Sequence, residues 1–226
     1  MDPRIVSGMQ RHFLRFDARL AAGEHRFGYK VAFNSQQLQA TLGIPFSLVA
    51  GMTETSLHPP EPYGLAGSSK LGLEAEVAAI LGEDVQQDDS MEAAATAVRA
   101  FAPAIEVVDF DRPLTELEEV LAEGVFHRAV ALGDHIPVPQ GANLRGIPAR
   151  IRYNGAATAD IDAGDATGDV PALLLHLAKL LARYGQRLKR DDVVILGSMT
   201  KVVFPDLGDR FSVQLANHAP VALTFT

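Results

Sequence analysis

The sequence predicts an α+β fold, on three observations. Amphipathic helical segments lie near the N-terminus and in the C-terminal third. Short runs with strand alternation occur between and after them. No repeat, low-complexity tract or linker separates these parts. With 226 residues, 47% of them hydrophobic, the chain has ample apolar material for one domain spanning residues 1–226.

From Ser7 to Ala22, Met9, Phe13, Phe16 and Leu20 recur at helical spacing, and Gly23 is a plausible stop. Phe27 to Phe33 reads as a short strand with Lys30 in its middle. Asn34 and Ser35 then offer caps for a short helix ending near Leu42. Residues 44–70 hold Pro45, Pro59, Pro60 and Pro62 among several Gly and Ser, which predicts mostly loop. Leu71 to Leu81 is strand-like, Ser90 caps a helix reaching about Ala100, and Ala104 to Asp109 is a second buried strand. TELEEVLAEG suits either a short helix or an acidic loop. Ala149 to Tyr153, Asn154-Gly155 and AATADI form a hairpin, because Asn-Gly supplies the positive φ angles of a tight turn. Asp169 caps a helix through Tyr184 with Gly185 as its stop, and VVILGSMT, RFSVQLA and VALTFT return to strands.

Composition narrows the function. The net charge of −8, with no long basic run, argues against nucleic acid and anionic membrane surfaces and favours a small-molecule partner. Without cysteine there are no disulfides, thiolate nucleophiles or zinc–thiolate sites, so any metal must be held by oxygen or imidazole. MDPRIVSGMQRHFLRF lacks the apolar core of a signal peptide, and no stretch approaches about 18 uninterrupted apolar residues, so a cytoplasmic protein is expected.

The chemistry lies in LGLEAEVAAILG and PAIEVVDF. Strand alternation puts Glu74 and Glu76 on one face with Ala78 and Ile80, and puts Glu106 on an apolar face with Ala104 and Val108. Burying an unpaired carboxylate costs several kcal/mol, so three such positions want a common cation, and an all-carboxylate set favours magnesium, manganese or calcium over zinc. The same residues also suit solvated strand faces, or pairing with Lys30, Lys70, Arg99 or Arg128.

GYKVAFNS (28–35), LEAEVAAILGEDV (73–85), FAPAIEVVD (101–109) and LGSMT (196–200), in this order and at these intervals, resemble the 2-keto-4-pentenoate hydratase family of the fumarylacetoacetate hydrolase superfamily. The resemblance spans nearly the whole chain. It implies a mixed β-roll with flanking helices and homo-oligomeric assembly. It also implies a magnesium or manganese site at Glu74, Glu76 and Glu106, an active-site role for Lys30, and a substrate-binding turn carrying Ser198 and Thr200. Those two hydroxyls equally suit bonding to nearby backbone.

The sequence departs from the family at three places, the first being an N-terminal helical segment shorter than that of typical members. EGVFHRAVALG stands where Asp-Asn-x-Ser is usual, which brings in Glu123 and His127, and Gly51 stands where an acidic residue often precedes Met. His127, with an ordinary pKa near 6.5, is the candidate general acid or base. Glu54 and His58 are candidate lid residues.

The resemblance implies a metal-dependent hydratase acting on a small 2-hydroxy-dienoate or 2-oxo acid through a metal-stabilised enolate, as in aromatic-ring degradation. Two alternatives remain open. One is a 2-oxo acid decarboxylase or acylpyruvate-type C–C hydrolase, for which Glu123 with His127, or Glu54 with His58, would activate water. The other is a weakly catalytic or non-catalytic 2-oxo acid binder.

Overall fold

The computed structural model describes residues 2–58, 62–138 and 143–226. Helix α1 (Pro3–Ala21) starts earlier than its apolar spacing suggests. Asp2 caps it by accepting from the Arg4 amide at 2.8 Å, and Pro3 occupies its first position, where a missing N–H costs nothing. Its buried stripe is Ile5, Met9, His12, Phe13 and Phe16. Strand β1 (Arg26–Ala32) follows, then α2 (Gln36–Leu42), capped by Ser35 and ended by Gly43 at φ 68°.

The 44–70 segment is mostly loop among its described residues, as expected, but it is not all loop. It contains β2 (Leu48–Thr53), every residue of which is buried, and residues 59–61 lie outside the described residues. Flanking prolines and glycines masked this short apolar run. Strand β3 (Leu71–Leu81) matches its expected bounds. Helix α3 stops at six residues (Met91–Thr96), and β4 begins at Val98 instead of Ala104, running to Asp109. The alanine-rich AAATAVRA has helix propensity, but pairing of Ala100 and Ala102 with β3 overrides it.

TELEEVLAEG yields helix α4 (Leu117–Ala122), followed by β5 (His127–Leu132) and the two-residue β6 (Ile136–Pro137). The hairpin forms as expected between β7 (Pro148–Tyr153) and β8 (Ala156–Asp162), with Asn154 and Gly155 at φ 52° and 79°. Helices α5 (Ala163–Thr167) and α6 (Val170–Ala182) come next, the latter capped by Asp169. Three strands close the chain: β9 (Val193–Ile195), β10 (Arg210–Leu215) and β11 (Val221–Thr224).

Two sheets result. The larger runs β2-β1-β9-β3-β4-β5 with β6 beside β4, and the smaller runs β11-β10-β7-β8. Only β1 and β9 pair in parallel among these strands. The main core joins the inner faces of both sheets to α1 and α6. A second, smaller cluster lies on the opposite face of the large sheet, with Ala78, Ile80, Ala100, Ala102 and Ala104 among its members. Glu74, Glu76 and Glu106 continue those same alternating rows toward one end of the sheet.

Two close approaches fix this frame. A Cβ on Gly51 would fall 2.8 Å from the Phe16 ring, so the small residue lets α1 pack on β2. The Gly51 amide donates to His12 Nε2 at 2.8 Å, and burial holds the His12 imidazole down at about 4, neutral and able to accept. Gly28, at φ 149°, has no room for a Cβ, which would fall 1.9 Å from the Val193 carbonyl oxygen in the parallel β1–β9 pair. Gly28→Ala is therefore expected to lower stability by roughly 2–4 kcal/mol in urea denaturation, because relief requires parting two central strands.

Candidate metal centre

Glu74 and Glu106 stand directly opposite each other on β3 and β4, with Glu76 two residues along the same face. Like charges in that register repel. Glu76 and Glu106 are each 0% exposed, whereas Glu74 opens toward a cavity of about 240 Å³. One carboxylate oxygen from each lies within 4.8 Å of the others, which makes Glu74, Glu76 and Glu106 a possible metal-holding group.

The neighbours of the triad come from distant segments. Lys30, 2% exposed, donates to Glu106 Oε1 at 2.5 Å and to the Val125 carbonyl at 2.9 Å. In a flat sheet the order β1-β9-β3-β4 would place Lys30 about 14 Å from β4, since neighbouring strands lie about 4.8 Å apart. The contact shows that the large sheet curls. His127 Nδ1 lies 2.7 Å from the same Glu106 oxygen, and the Gly197 amide donates to Glu76 Oε2 at 2.6 Å. Gly197, at φ 103°, is packed so closely against Asn34 that a Cβ would fall 2.3 Å from its Nδ2.

After these bonds, Glu76 Oε1 and Glu106 Oε2 remain buried without a partner among the described residues. Three carboxyl groups face one ammonium, so two negative charges lack compensation when all are ionised. A hard dication fits this donor set and this charge, with oxygen ligands at about 2.0–2.6 Å. Without a metal, protons take its place. Burial, then the Glu106 charge, push Glu74 up to about 7, partly offset by Lys30, and burial with both neighbouring carboxylates pushes Glu76 well above the usual range. For Glu106, burial acts upward, but Lys30 and His127 outweigh it and hold the group below its ordinary value. Burial lowers the His127 pKa, so its ring is neutral near pH 7.

The cavity has four polar residues on its wall, Lys30, Asn34, Glu74 and Ser198, and is otherwise apolar. Three of its residues carry strain: Phe33, Val125 and Phe126 have φ of 56°, 56° and 64°, where bulky side chains are costly. With Gly124 at φ 80°, residues 124–126 make a left-handed turn that aims the Val125 carbonyl at Lys30.

Several expected positions lie elsewhere. His127 is not on the cavity wall; it backs Glu106. Glu123 is bonded to Arg15, away from His127. Thr200 donates to the Lys201 carbonyl at 3.2 Å and does not line the cavity, while Ser198 lines it and donates to the Thr200 carbonyl at 2.9 Å. Glu54 follows β2 in a short 3-10 turn, and His58 lines a separate groove with Phe27 and His135. Of the proposed basic partners, Lys30 reaches the triad, whereas Arg99 pairs with Asp191 and Arg128 with Asp111. Sequence reading missed Asn34, which it took for a helix cap, the Val125 carbonyl and the Gly197 amide. Asn34 and Gly197 sit inside GYKVAFNS and LGSMT, the signal that could have marked them.

The fumarylacetoacetate (FAA) hydrolase C-terminal family model matches residues 30–225, from Lys30 to the last strand. The chain belongs to this family. A 2-hydroxyhexa-2,4-dienoate hydratase of Comamonas testosteroni is 25% identical over 222 residues, covering 95% of this chain and 83% of that protein. The structure of 4-oxalocrotonate decarboxylase from Pseudomonas putida G7, complexed with magnesium and adipate, superposes with a TM-score of 0.83 at 17% identity, over 95% of this chain and 83% of that one. Fumarylpyruvate hydrolase from Pseudomonas aeruginosa, in complex with Mn2+ and pyruvate, gives 0.70 at 16% identity over 89% of each chain. The curled mixed sheet with flanking helices is thus the family's fold, as the resemblance implied.

Proton and metal should compete at this FAA hydrolase family centre. Raised carboxyl pKa values stabilise the metal-free protein at low pH, and that contribution is lost as pH rises through about 7. The metal-free melting temperature should therefore fall from pH 6 to pH 8, and added Mn2+ should raise it more at pH 8 than at pH 6. Glu76→Gln, which mimics the protonated acid, should abolish the fall attributable to Glu76 and weaken Mn2+ binding by about 100-fold.

Proposed function

We propose that the protein is a divalent-metal-dependent lyase that hydrates a small 2-hydroxy-dienoate or its 2-oxo tautomer, with Mg2+ or Mn2+ held by Glu74, Glu76 and Glu106. The observation that carries this reading is the pair of buried, unpartnered carboxylate oxygens of Glu76 and Glu106 beside Glu74 on the cavity wall. When bound, the ion supplies Lewis acidity to the carboxylate and keto oxygens of a 2-oxo acid.

The chain's own groups divide the remaining work. An ammonium has three N–H donors, and two of those on Lys30 go to Glu106 and Val125. The third is available to a ligand in the cavity, as a hydrogen-bond donor or as the proton delivered to the substrate. His127 acts as a positioning residue: it accompanies Lys30 on one oxygen of Glu106 and leaves the other for the metal. Ser198 and Asn34 supply neutral polar contacts at the same wall. The apolar remainder excludes water from all but the reacting position.

Hydration is favoured over C–C hydrolysis because neither proposed His–Glu pair stands at the cavity: Glu123 is taken by Arg15, and His58 lines another groove. The match to the curated hydratase supports the same choice. A homo-oligomeric state belongs to this reading and rests on the family resemblance, and a cytoplasmic location rests on the sequence expectation alone. Among the described residues no helix is long and apolar enough to cross a membrane.

Purified protein with Mg2+ should consume 2-hydroxy-dienoates, followed by loss of dienol absorbance, without releasing carbon dioxide. Carbon dioxide release would instead establish decarboxylation, and a panel with no turnover would leave a binding protein. Lys30→Met should lower kcat by about 100-fold or more, in the range of a lost general acid. Because Lys30→Met also strips Glu106 of its ion pair, Mn2+ binding of the variant should be measured alongside, and it should survive.

A further inference from the structure

We propose that the cavity selects monocarboxylic 2-oxo and 2-hydroxy-dienoic acids with a short apolar tail and rejects those ending in a second carboxylate. The inference rests on the reading above for the end of the ligand that meets the metal, and it adds what the other end must be.

Polar groups are unevenly placed around the cavity. Lys30, Asn34, Glu74 and Ser198 are its polar residues, and the first three belong to or adjoin the metal-binding end: Lys30 bonds Glu106, Glu74 is in the triad, and Asn34 packs on Gly197, which bonds Glu76. Ser198 follows Gly197 directly. The rest of the wall includes Phe33, Leu38, Val108, Phe110, Leu114 and Val202, none of which can donate to an anion through its side chain.

Lys30 is the one cation on that wall among the described residues, and it is held at the metal end by Glu106 and Val125. Nearby cations are turned to other partners. Arg112 and Arg128 both pair with Asp111 at 3.0 Å, and Lys70 lies over the Phe204 ring at 4.6 Å. Lys201 is exposed and absent from the wall. A terminal carboxylate would therefore be stripped of water against aliphatic and aromatic carbon with no compensating donor. An alkyl or vinyl tail meets the same wall favourably. The volume of about 240 Å³, below the roughly 300–1,000 Å³ of pockets for drug-sized ligands, limits the tail to a few carbons.

The test is a calorimetric titration of Mn2+-loaded protein with 2-oxohexanoate and with 2-oxoadipate, which share a six-carbon chain and differ in the terminal carboxylate. Neither needs to be turned over, so binding is read without catalysis. The monoacid should bind at least about 30-fold more tightly, the scale expected when a charged group must be buried unpaired. Leu114→Arg and, separately, Val202→Arg would place a cation on the wall at half-exposed positions, and at least one should narrow the preference by about tenfold. Equal or tighter binding of the diacid by the unmodified protein would overturn the proposal while leaving the 2-oxo acid reading intact. If neither acid binds in the presence of Mn2+, the 2-oxo acid reading falls and this proposal falls with it.

Discussion

Lys30 and Glu106 meet at 2.5 Å in the interior, and such a pair persists only when the lone pairs and protons around it are satisfied. Most of the site is that satisfaction. Val125 turns its carbonyl to the ammonium, His127 joins the shared carboxylate oxygen, and Gly197 gives its amide to the neighbouring Glu76. What stays unsatisfied among the described residues is one oxygen each on Glu76 and Glu106, and the Nε2 of His127. The two carboxylate oxygens are open on the side that a cation would occupy.

Meeting this constraint has structural costs. The large sheet must curl so that a β1 lysine can reach β4, and β9 must be short so that the chain can leave the sheet after Ile195 and cap Glu76. Phe33, Val125 and Phe126 sit in backbone conformations that cost about 1–3 kcal/mol each, and all three border the same cavity. Strain concentrated where the Val125 carbonyl and the ring walls are positioned is consistent with selection for the site over local stability. The neutral His12 beneath Gly51, and the close contact of Phe16 with that glycine, show that the core requires a small residue at position 51.

Much of this was legible in the sequence, for physical reasons. Strand alternation has a period of two, so Glu74 and Glu76 could be put on one face and Glu106 on an apolar one from spacing alone, with the choice between a buried and a solvated face left to the family resemblance, and the Asn154-Gly155 turn followed from its φ requirements. Lys30 was legible as an active-site lysine through the resemblance and as one possible partner of the glutamates, although its bond to Glu106 depends on the curl of the sheet. Strand β2 was hidden because its few apolar residues lie among prolines and glycines, and β4 was entered late because Ala93 to Ala100 suits a helix as well as a strand. The family alignment brought His127 to the site, but its seat behind Glu106 was not legible, since three successive left-handed residues before it, two of them bulky, run against local preference and are imposed by tertiary packing. Backbone donors such as the Gly197 amide leave no side-chain signature at all.

The central claim is that one divalent ion belongs between Glu74, Glu76 and Glu106. Anomalous scattering from Mn2+-soaked crystals tests it most directly. The account predicts one strong peak at about 2.1–2.3 Å from a carboxylate oxygen of each residue, including the Glu76 and Glu106 oxygens that lack partners here. A fully soaked crystal with no peak at the triad, or with the ion bound only elsewhere, would contradict it.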